Sequence, residues 1–288
     1  MHDDSLAPFL AHIRNCQTAI LPGPRREVLA GNASFGLADP RLFEALTALG
    51  YADGPVFRLP NGAALQPLGE ALAAQGLYRP HNELFDVFDK SGAVIGRIDR
   101  GALPLLGCTA AGVHLNGLVE RPEGVFLWMG HRADNKRLDP GKLDHLAAGG
   151  ICTGLSPLQA LIKEAGEEAA IPPDLAAQAQ PVATLRYAMA RPEGLRQDTL
   201  FCYDLILPPD FEPQPVDGEV AFFELMPIEK VFEIVRDTND VKFNVNLVLI
   251  DLFLRRGLFS AADSARLRQA LDGARDHPEL RTPPQYAL

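Results

Sequence analysis

Three glutamates lie within five consecutive residues in the middle of the chain, at Glu164, Glu167 and Glu168. If this segment is helical, Glu164 and Glu168 are one turn apart and Glu167 lies beside them. Like charges at this spacing destabilise an isolated helix, and a bound cation would reverse that penalty. Carboxylate oxygens are hard ligands, and Mg²⁺ usually takes one or two of them while phosphates and water fill the remaining positions. The spacing indicates a metal site acting on a phosphorylated ligand, with an ordinary solvated acidic face as the alternative.

The helix that would carry these glutamates has a well-marked start. Ser156 is a good N-cap, Pro157 suits the first helical position, and Gln159 completes a capping box. Ahead of it, Ala148-Gly149-Gly150 predicts a glycine-rich turn whose backbone faces a ligand. Apolar residues recur at spacings of three and four and predict a buried face: Leu158, Leu161, Ile162, Ala165 and Ala169.

The run from Gly149 to Ile171 resembles the Nudix hydrolase signature, in which a glycine, an acidic residue and an Arg-Glu, Glu-Glu helix recur at fixed spacing. Leu155 replaces the first Glu of that signature, Lys163 replaces Arg, and Ala170 replaces the final Gly. In the family, that Glu and Arg interact across the loop and helix, so the partner of Lys163 is left open. The matching residues are Gly149, Glu164, Ala165, Glu167, Glu168 and Ile171.

The departures and the surrounding text resemble one branch, the Nudix hydrolases related to the Nudix half of thiamin pyrophosphokinase fusions. Lys before the Glu is usual in that branch, and the first Glu is usually missing. Trp128 to Gly150 resembles its Trp, Arg, Lys, Pro-Gly, Leu-Asp pattern. Two later runs resemble its Asp-Gly-Glu-Val segment and its closing Lys, Asn and apolar helix: LFCYDLILPPDFEPQPVDGEVAFFELMPIEKV and KFNVNLVLIDLFLRRG.

The resemblance implies a metal-dependent hydrolase of diphosphate bonds. The implied ligands of Mg²⁺ or Mn²⁺ are the Gly149 carbonyl and the carboxylates of Glu164, Glu167 and Glu168, and Glu164 and Glu168 are implied to serve catalysis. A bound metal lowers the pKa of its water and neutralises charge on the phosphoryl oxygens. Glu168 or Glu219 would orient or deprotonate that water. Glu219 is a candidate because it lies in the matching Asp-Gly-Glu-Val motif, although a lone Glu at a strand start is usually a surface residue.

A basic cluster precedes the glycines. Arg132, Lys136, Arg137 and Lys142 lie in one stretch with a Pro-Gly turn. They are either solvated loop charges or ligands of the diphosphate, and we take Arg132, Lys136 and Lys142 as the substrate-binding candidates. Trp128, Tyr187, Phe201 and Phe222 are available to stack on a substrate ring, although strands usually bury every second side chain.

Branch resemblance alone gives the substrate as thiamin diphosphate or its oxidised analogues, cut to the monophosphate and phosphate. A nucleoside diphosphate linked to another group, such as ADP-ribose or a dinucleotide, is the rival substrate class. A non-catalytic Nudix ligand sensor is the rival function, suggested by Leu155, Lys163 and Ala170. The isomerase use of this fold has no supporting motif.

We expect an α/β fold: a Nudix α/β/α sandwich with a mixed sheet, preceded by a small α+β domain. The predicted units are residues 1–108, the Nudix domain at 109–260, and a C-terminal helix and tail at 261–288. Apolar spacing predicts helices at 6–13, 42–49, 65–77, 156–171, 228–236 and 244–256. Alternation predicts a hairpin within 84–98 and strands at 56–59, 113–120, 125–131, 182–190, 199–207 and 220–225.

Composition limits the class of protein. The 288 residues are 47% hydrophobic and 22% charged, with a net charge of −10, which argues against general nucleic-acid binding. Four separated cysteines form no disulfide or zinc pattern. No run reaches the roughly 18 apolar residues of a membrane helix, and the acidic N-terminus favours a cytoplasmic enzyme of a small-molecule diphosphate. The oligomeric state is left open, a homodimer included.

Overall fold

The computed structural model describes residues 6–136, 138–273 and 286. Arg137 lies outside the described residues, as does the proline-rich end that we predict to be mobile or wrapped on the surface, except for Tyr286. The helices are α1 (Ala7–Asn15), α2 (Phe43–Ala48), α3 (Leu65–Ala74), α4 (Leu103–Leu106), α5 (Pro157–Ala169), α6 (Pro173–Ala176), α7 (Ile228–Asp237), α8 (Val245–Arg255) and α9 (Ala261–Asp272). The strands are β1 (Arg26–Ala30), β2 (Ala33–Ala38), β3 (Ala52–Asp53), β4 (Val56–Leu59), β5 (Leu84–Phe88), β6 (Val94–Asp99), β7 (Thr109–Arg121), β8 (Gly124–Arg132), β9 (Leu143–Asp144), β10 (Ala147–Gly150), β11 (Gln180–Arg191), β12 (Gly194–Ile206) and β13 (Val220–Pro227).

The N-terminal part is a small α+β unit. Its four-stranded sheet has the order β2-β1-β4-β3, and the hairpin β5-β6 forms a separate two-stranded sheet. The core joins strand residues such as Val28 and Phe57 to helix residues such as Leu65 and Leu68, all of them buried. The predicted strand at 56–59, the helices at 42–49 and 65–77 and the hairpin within 84–98 are confirmed within a few residues. The hairpin β1-β2, which turns at Gly31, was not predicted.

The second part is a seven-stranded mixed sheet. Its main path is β11-β12-β7-β8-β13, with β10 added beside β7 and β9 beside β8. Strands β7 and β12 pair in parallel, while the other neighbours are antiparallel. Because β7 and β12 are central, their side chains are buried on both faces of the sheet.

Helices cover both faces of this sheet, as the predicted sandwich requires. On one face, α5 and α6 pack through Leu161 and Ala165 against Val113 and Phe201. On the other face, α7, α8 and α9 lie over residues such as Leu118 and Leu200. Helix α1 belongs to the same second layer, because Phe9 lies 4.9 Å from Phe232, measured between ring centroids. The most N-terminal helix therefore packs on the C-terminal helices rather than on the small sheet.

The hairpin β11-β12 corrects one expectation. The sequence places a loop at residues 191–198, whereas β12 begins at Gly194 and only Pro192 and Glu193 separate the strands. The start of β12 was predicted too late because Gln197 and Asp198, although polar, are buried within the paired strand. Asp198 accepts a hydrogen bond from the buried Tyr187 hydroxyl, so its polarity is satisfied inside.

The helix that carries the glutamates begins as predicted. The Ser156 hydroxyl accepts the Gln159 N–H at 3.2 Å, and the Gln159 side-chain oxygen accepts the Ser156 N–H at 2.9 Å. The helix ends at Ala170, which adopts a left-handed conformation with φ of 54°. No helix of the described residues is long and apolar enough to cross a membrane.

Candidate metal and diphosphate site

Strand β10 forms the floor of the site, where the sequence predicts a turn. Residues 147–150 pair with β7 in regular antiparallel register. The glycine at 149 is needed for space, because a methyl group on its α-carbon would overlap the carboxylate of Glu164. A methyl at Gly150 would likewise meet the ring of Phe85. The two glycines let α5 and the N-terminal hairpin approach the strand closely, which is a different use of glycine from the one predicted.

Glu168 is a buried carboxylate that the fold holds in place. Its side chain is 8% exposed, and Oε2 accepts the Ala148 N–H at 2.9 Å. Burial raises the pKa of Glu168 well above its usual value, and the negative charges of Asp144, Glu164 and Glu219 add to that rise against the Ala148 hydrogen bond. Burial also raises the pKa of Glu164, although Lys163 opposes the shift.

Two further acids meet Glu168 from the segment before β13. Oxygen atoms of Glu168, Asp217 and Glu219 lie within 4.8 Å of one another. Gly218 turns the chain between the two acids with φ of 77°, and Asp217 Oδ1 accepts the Glu219 N–H at 2.8 Å. Glu219 thus lies beside Glu168, and its role as a base stays a prediction. Asp217 was missed, although its position two residues before Glu219 was a usable signal.

Lys163 forms ion pairs with two glutamates of α5, Glu164 and Glu167. Its ammonium nitrogen lies 2.5 Å from Glu167 Oε2 and 3.1 Å from Glu164 Oε1. Glu167 is more than half exposed, whereas Glu164 is mostly buried against the strand. The structure thus answers which residues pair with the lysine that stands in place of the signature's arginine.

The predicted basic residues separate into different environments. Lys136 forms an ion pair with Glu219 and stands at the edge of the acidic group. Lys142 lies 3.6 Å from Asp139 in the preceding loop. Arg132 is buried, and its guanidinium donates to Asp144 at 2.6 Å and to the carbonyl oxygens of the 138–139 segment. Lys136 therefore lies beside the acidic group, whereas the hydrogen bonds of Arg132 go to Asp144 and the loop at 138–139.

Asp144 is the centre of a separate buried cluster. Its Oδ2 accepts from Arg132 and, at 2.9 Å, from Lys242. Although burial opposes ionisation, Lys242 and Arg132 hold the pKa of Asp144 well below its usual value. Burial lowers the pKa of His145 to about 4 and holds that of His114 well below its usual value, so both rings are neutral at pH 7. Two cations already compensate this carboxylate, so the cluster is a poor place for a metal ion.

The aromatic candidates divide by exposure. Tyr187 and Phe201 are buried, and Trp128 packs partly buried against the core of the α5 face. Phe222 is 52% exposed and stacks on His131 with ring centroids 4.0 Å apart. Only Phe222, among these four, presents an open ring face beside the acidic segment.

The residues present fit a hard divalent cation. Glu168 of α5 converges with Asp217 and Glu219 of the segment before β13, and hard cations take oxygen ligands of this kind. Burial raises the pKa values of Glu164 and Glu168, and neighbouring negative charges add to the rise, as is common for carboxylates at functional sites. The converging ligand atoms are all carboxylate oxygens, which is the donor type that hard cations prefer.

Part of the chain is similar to known Nudix proteins. Residues 112–246 match the family model described as the NUDIX domain. Nudix hydrolase 24, chloroplastic, from Arabidopsis thaliana is 43% identical over 178 residues, which cover 62% of this chain and 49% of the relative. Nudix hydrolase 20, chloroplastic, from the same plant is 41% identical over 187 residues, covering 65% and 50%. The chain therefore spans about half the length of these curated relatives.

DR0079 from Deinococcus radiodurans aligns with a TM-score of 0.47 and 20% identity, over 58% of this chain and 97% of its own.

Proposed function

We propose that the Nudix domain at residues 112–246 is the working part of a metal-dependent hydrolase that cleaves a diphosphate bond. The observation that carries the proposal is the group of Glu168, Asp217 and Glu219, whose oxygen atoms converge beside the strand that ends in Gly149-Gly150. Homology to the two plant Nudix hydrolases supports the same reaction class.

The cation would be Mg²⁺ or Mn²⁺, held by Glu164, Glu167, Glu168 and the Gly149 carbonyl, with Asp217 and Glu219 available beside Glu168. When bound, such an ion supplies an activated water and neutralises phosphoryl charge. The donor set of carboxylates and a carbonyl supports a hard cation over zinc, which favours nitrogen and sulfur.

The chain's own residues have distinct tasks in this proposal. Glu168, positioned by the Ala148 N–H, or Glu219 orients the attacking water and takes its proton. Lys136 and Lys142 supply point charges for the phosphates. Because the Arg132 guanidinium is engaged with Asp144 and the loop carbonyls, we assign it to holding that loop in place rather than to direct substrate contact.

For the substrate, we propose thiamin diphosphate or its oxidised analogues, cut to the monophosphate and phosphate. This choice rests on the branch resemblance of the sequence. The exposed ring of Phe222 is available to a heterocycle, which both this class and the nucleoside diphosphate derivatives contain. The cytoplasmic placement remains a prediction, since both plant relatives are chloroplastic by name.

A substrate screen tests the proposal. The full chain is incubated with Mg²⁺ and either thiamin diphosphate, an oxidised analogue, ADP-ribose or a dinucleotide, and products are identified by phosphorus NMR. Orthophosphate and thiamin monophosphate are expected. Release of AMP and ribose phosphate from ADP-ribose alone would move the chain to the nucleoside class. Binding without turnover, in both the wild type and Glu168→Gln, would instead support a ligand sensor.

A further inference from the structure

Lys163 occupies the position from which a cation reaches two glutamates of α5. Its ammonium contacts Glu164 at 3.1 Å and Glu167 at 2.5 Å, while its side chain remains 43% exposed. The carboxylate of Glu164 lies against Gly149, so this ammonium is at the border of the predicted metal-binding group. One oxygen of each glutamate, Oε1 of Glu164 and Oε2 of Glu167, is therefore already engaged by a charge of the same sign as a metal ion.

Lys163 contacts its glutamates through a charged side chain, whereas Glu168 is held by a backbone N–H. Glu168 accepts a backbone N–H from Ala148, which is a neutral donor and part of the strand. Lys163 is a flexible side chain that can leave its partners by rotation, because four methylene groups separate the ammonium from the helix. The fold therefore fixes one glutamate with the backbone and covers two with a movable cation.

We propose that Lys163 is an internal counter-cation that neutralises Glu164 and Glu167 before the divalent ion binds, and that its presence lowers the metal affinity of the site because the ion must displace it. This inference rests on the metal site of the proposed function. A divalent ion takes its ligands from the same two carboxylates, so its binding and the two ion pairs compete for their negative charge. Exposed pairs of this kind contribute little each, so the competition has a modest size.

The experiment measures metal binding without substrate or turnover. Free Mn²⁺ is followed by electron paramagnetic resonance as the full chain is titrated at about 0.15 M salt, where charges more than roughly 8 Å apart are largely screened. The variants are Lys163→Gln, Lys163→Arg and the control Lys230→Gln. Lys230 lies on α7, pairs with Glu233 at 3.8 Å and gives the same change in net charge.

Lys163→Gln is expected to bind Mn²⁺ about threefold to tenfold more tightly than the wild type, because two exposed ion pairs no longer compete with the metal. Lys163→Arg keeps the cation and should bind like the wild type. Lys230→Gln should change affinity by less than about twofold, because its charge lies outside the site. Thermal unfolding with and without Mn²⁺ gives a second readout, and the metal-induced rise in Tm should be larger in Lys163→Gln.

The outcomes separate this inference from the proposed function. If the wild type binds Mn²⁺ and Glu168→Gln does not, while Lys163→Gln matches Lys230→Gln or binds more weakly, the counter-cation role fails and the metal site stands. If neither the wild type nor Lys163→Gln binds Mn²⁺, the metal site and the inference fail together. Tighter binding by Lys163→Gln with wild-type affinity in Lys163→Arg establishes the role.

Discussion

Two buried carboxylates, Asp144 on β9 and Glu168 against Ala148 of β10, have opposite electrostatic environments. Glu168 is 8% exposed and Asp144 is 6% exposed, so burial penalises both charges. Arg132 and Lys242 contact Asp144 and lower its pKa, whereas the charges acting on Glu168 include three further carboxylates and its pKa is raised. The fold neutralises one acid with its own cations and leaves the other short of positive charge.

The difference separates architecture from chemistry. The Asp144 cluster joins the loop at 138–139, strand β9 and the start of α8 through hydrogen bonds, so its charge is used to hold elements together. Burial and neighbouring carboxylates raise the pKa of Glu168, which is typical of a site organised for a ligand. A perturbed pKa is informative here because the sign of the shift distinguishes the two acids.

Replacing Glu168 with Gln should have the largest effect of the substitutions considered. Loss of the carboxylate removes a proposed metal ligand and base, and the rate of diphosphate hydrolysis should fall by about 100-fold to 10,000-fold. Stability should change by less than about 1 kcal/mol, because the amide oxygen still accepts the Ala148 N–H and a buried charge is removed. Phosphate release and urea unfolding measure the two quantities. Activity above a tenth of the wild type would remove Glu168 from the mechanism.

Replacing Asp144 with Asn should show the opposite pattern, with its main effect on stability. The substitution leaves Arg132 and Lys242 buried without their carboxylate, and the free energy of unfolding should fall by about 3–5 kcal/mol. Asp237→Asn is the matched control, because Asp237 pairs with Arg236 on the surface of α7 and its loss should leave the urea midpoint unchanged. Equal midpoints for the two variants would show that the Asp144 cluster does not stabilise the fold.

The same aspartate gives a pH dependence with a defined sign. Its pKa in the folded chain lies below the ordinary value of 3.8, so its stabilisation is fully present above that pH and is lost as pH falls toward the folded pKa. The stability gap between wild type and Asp144→Asn should therefore be widest near neutrality and shrink below about pH 4. Urea unfolding at a series of pH values measures the gap. A gap independent of pH would contradict the ionised state of Asp144.

Much of this arrangement was predictable because it depends on local spacing. The capping box fixed the start of α5, and the separation of the three glutamates on that helix follows from its geometry. The strands β7 and β8 and the apolar helix α8 were also confirmed, because alternation and apolar periodicity report a buried face. The resemblance to the Nudix signature then added the expectation of a mixed sheet.

The rest depends on contacts that local spacing does not encode. Lys242 reaches Asp144 across 98 residues of chain, so no nearby residue signals the pair. Arg132 resembles any loop cation in the sequence, but in the structure it is buried among carbonyl oxygens. The turn predicted at Gly149 is a strand in the structure. The prediction was wrong because glycine serves close packing as well as turns, and only the contact with Glu164 distinguishes the two uses.

Replacing Gly149 with Ala tests that close packing. The new methyl group would occupy the space of the Glu164 carboxylate, which must rotate away from the strand. Mn²⁺ affinity and the hydrolysis rate should each fall by about tenfold, on the scale of one displaced ligand. The midpoint of urea unfolding should change little, because the displaced atoms are the far end of a flexible side chain. Wild-type affinity in Gly149→Ala would mean that the position of Glu164 against the strand does not matter for the metal.

The matched control for that variant is itself the smallest prediction. Gly166 lies inside α5, and a methyl group added there would have its nearest neighbour, the Ile171 carbonyl oxygen, at 3.8 Å. Because glycine in a helix interior costs conformational entropy, Gly166→Ala should stabilise the chain by about 0.5–1 kcal/mol while leaving Mn²⁺ affinity unchanged. Urea unfolding and the Mn²⁺ titration check both expectations. A loss of metal affinity in Gly166→Ala, equal to that in Gly149→Ala, would show that the helix as a whole had shifted, and the special role of the Gly149 contact would then be wrong.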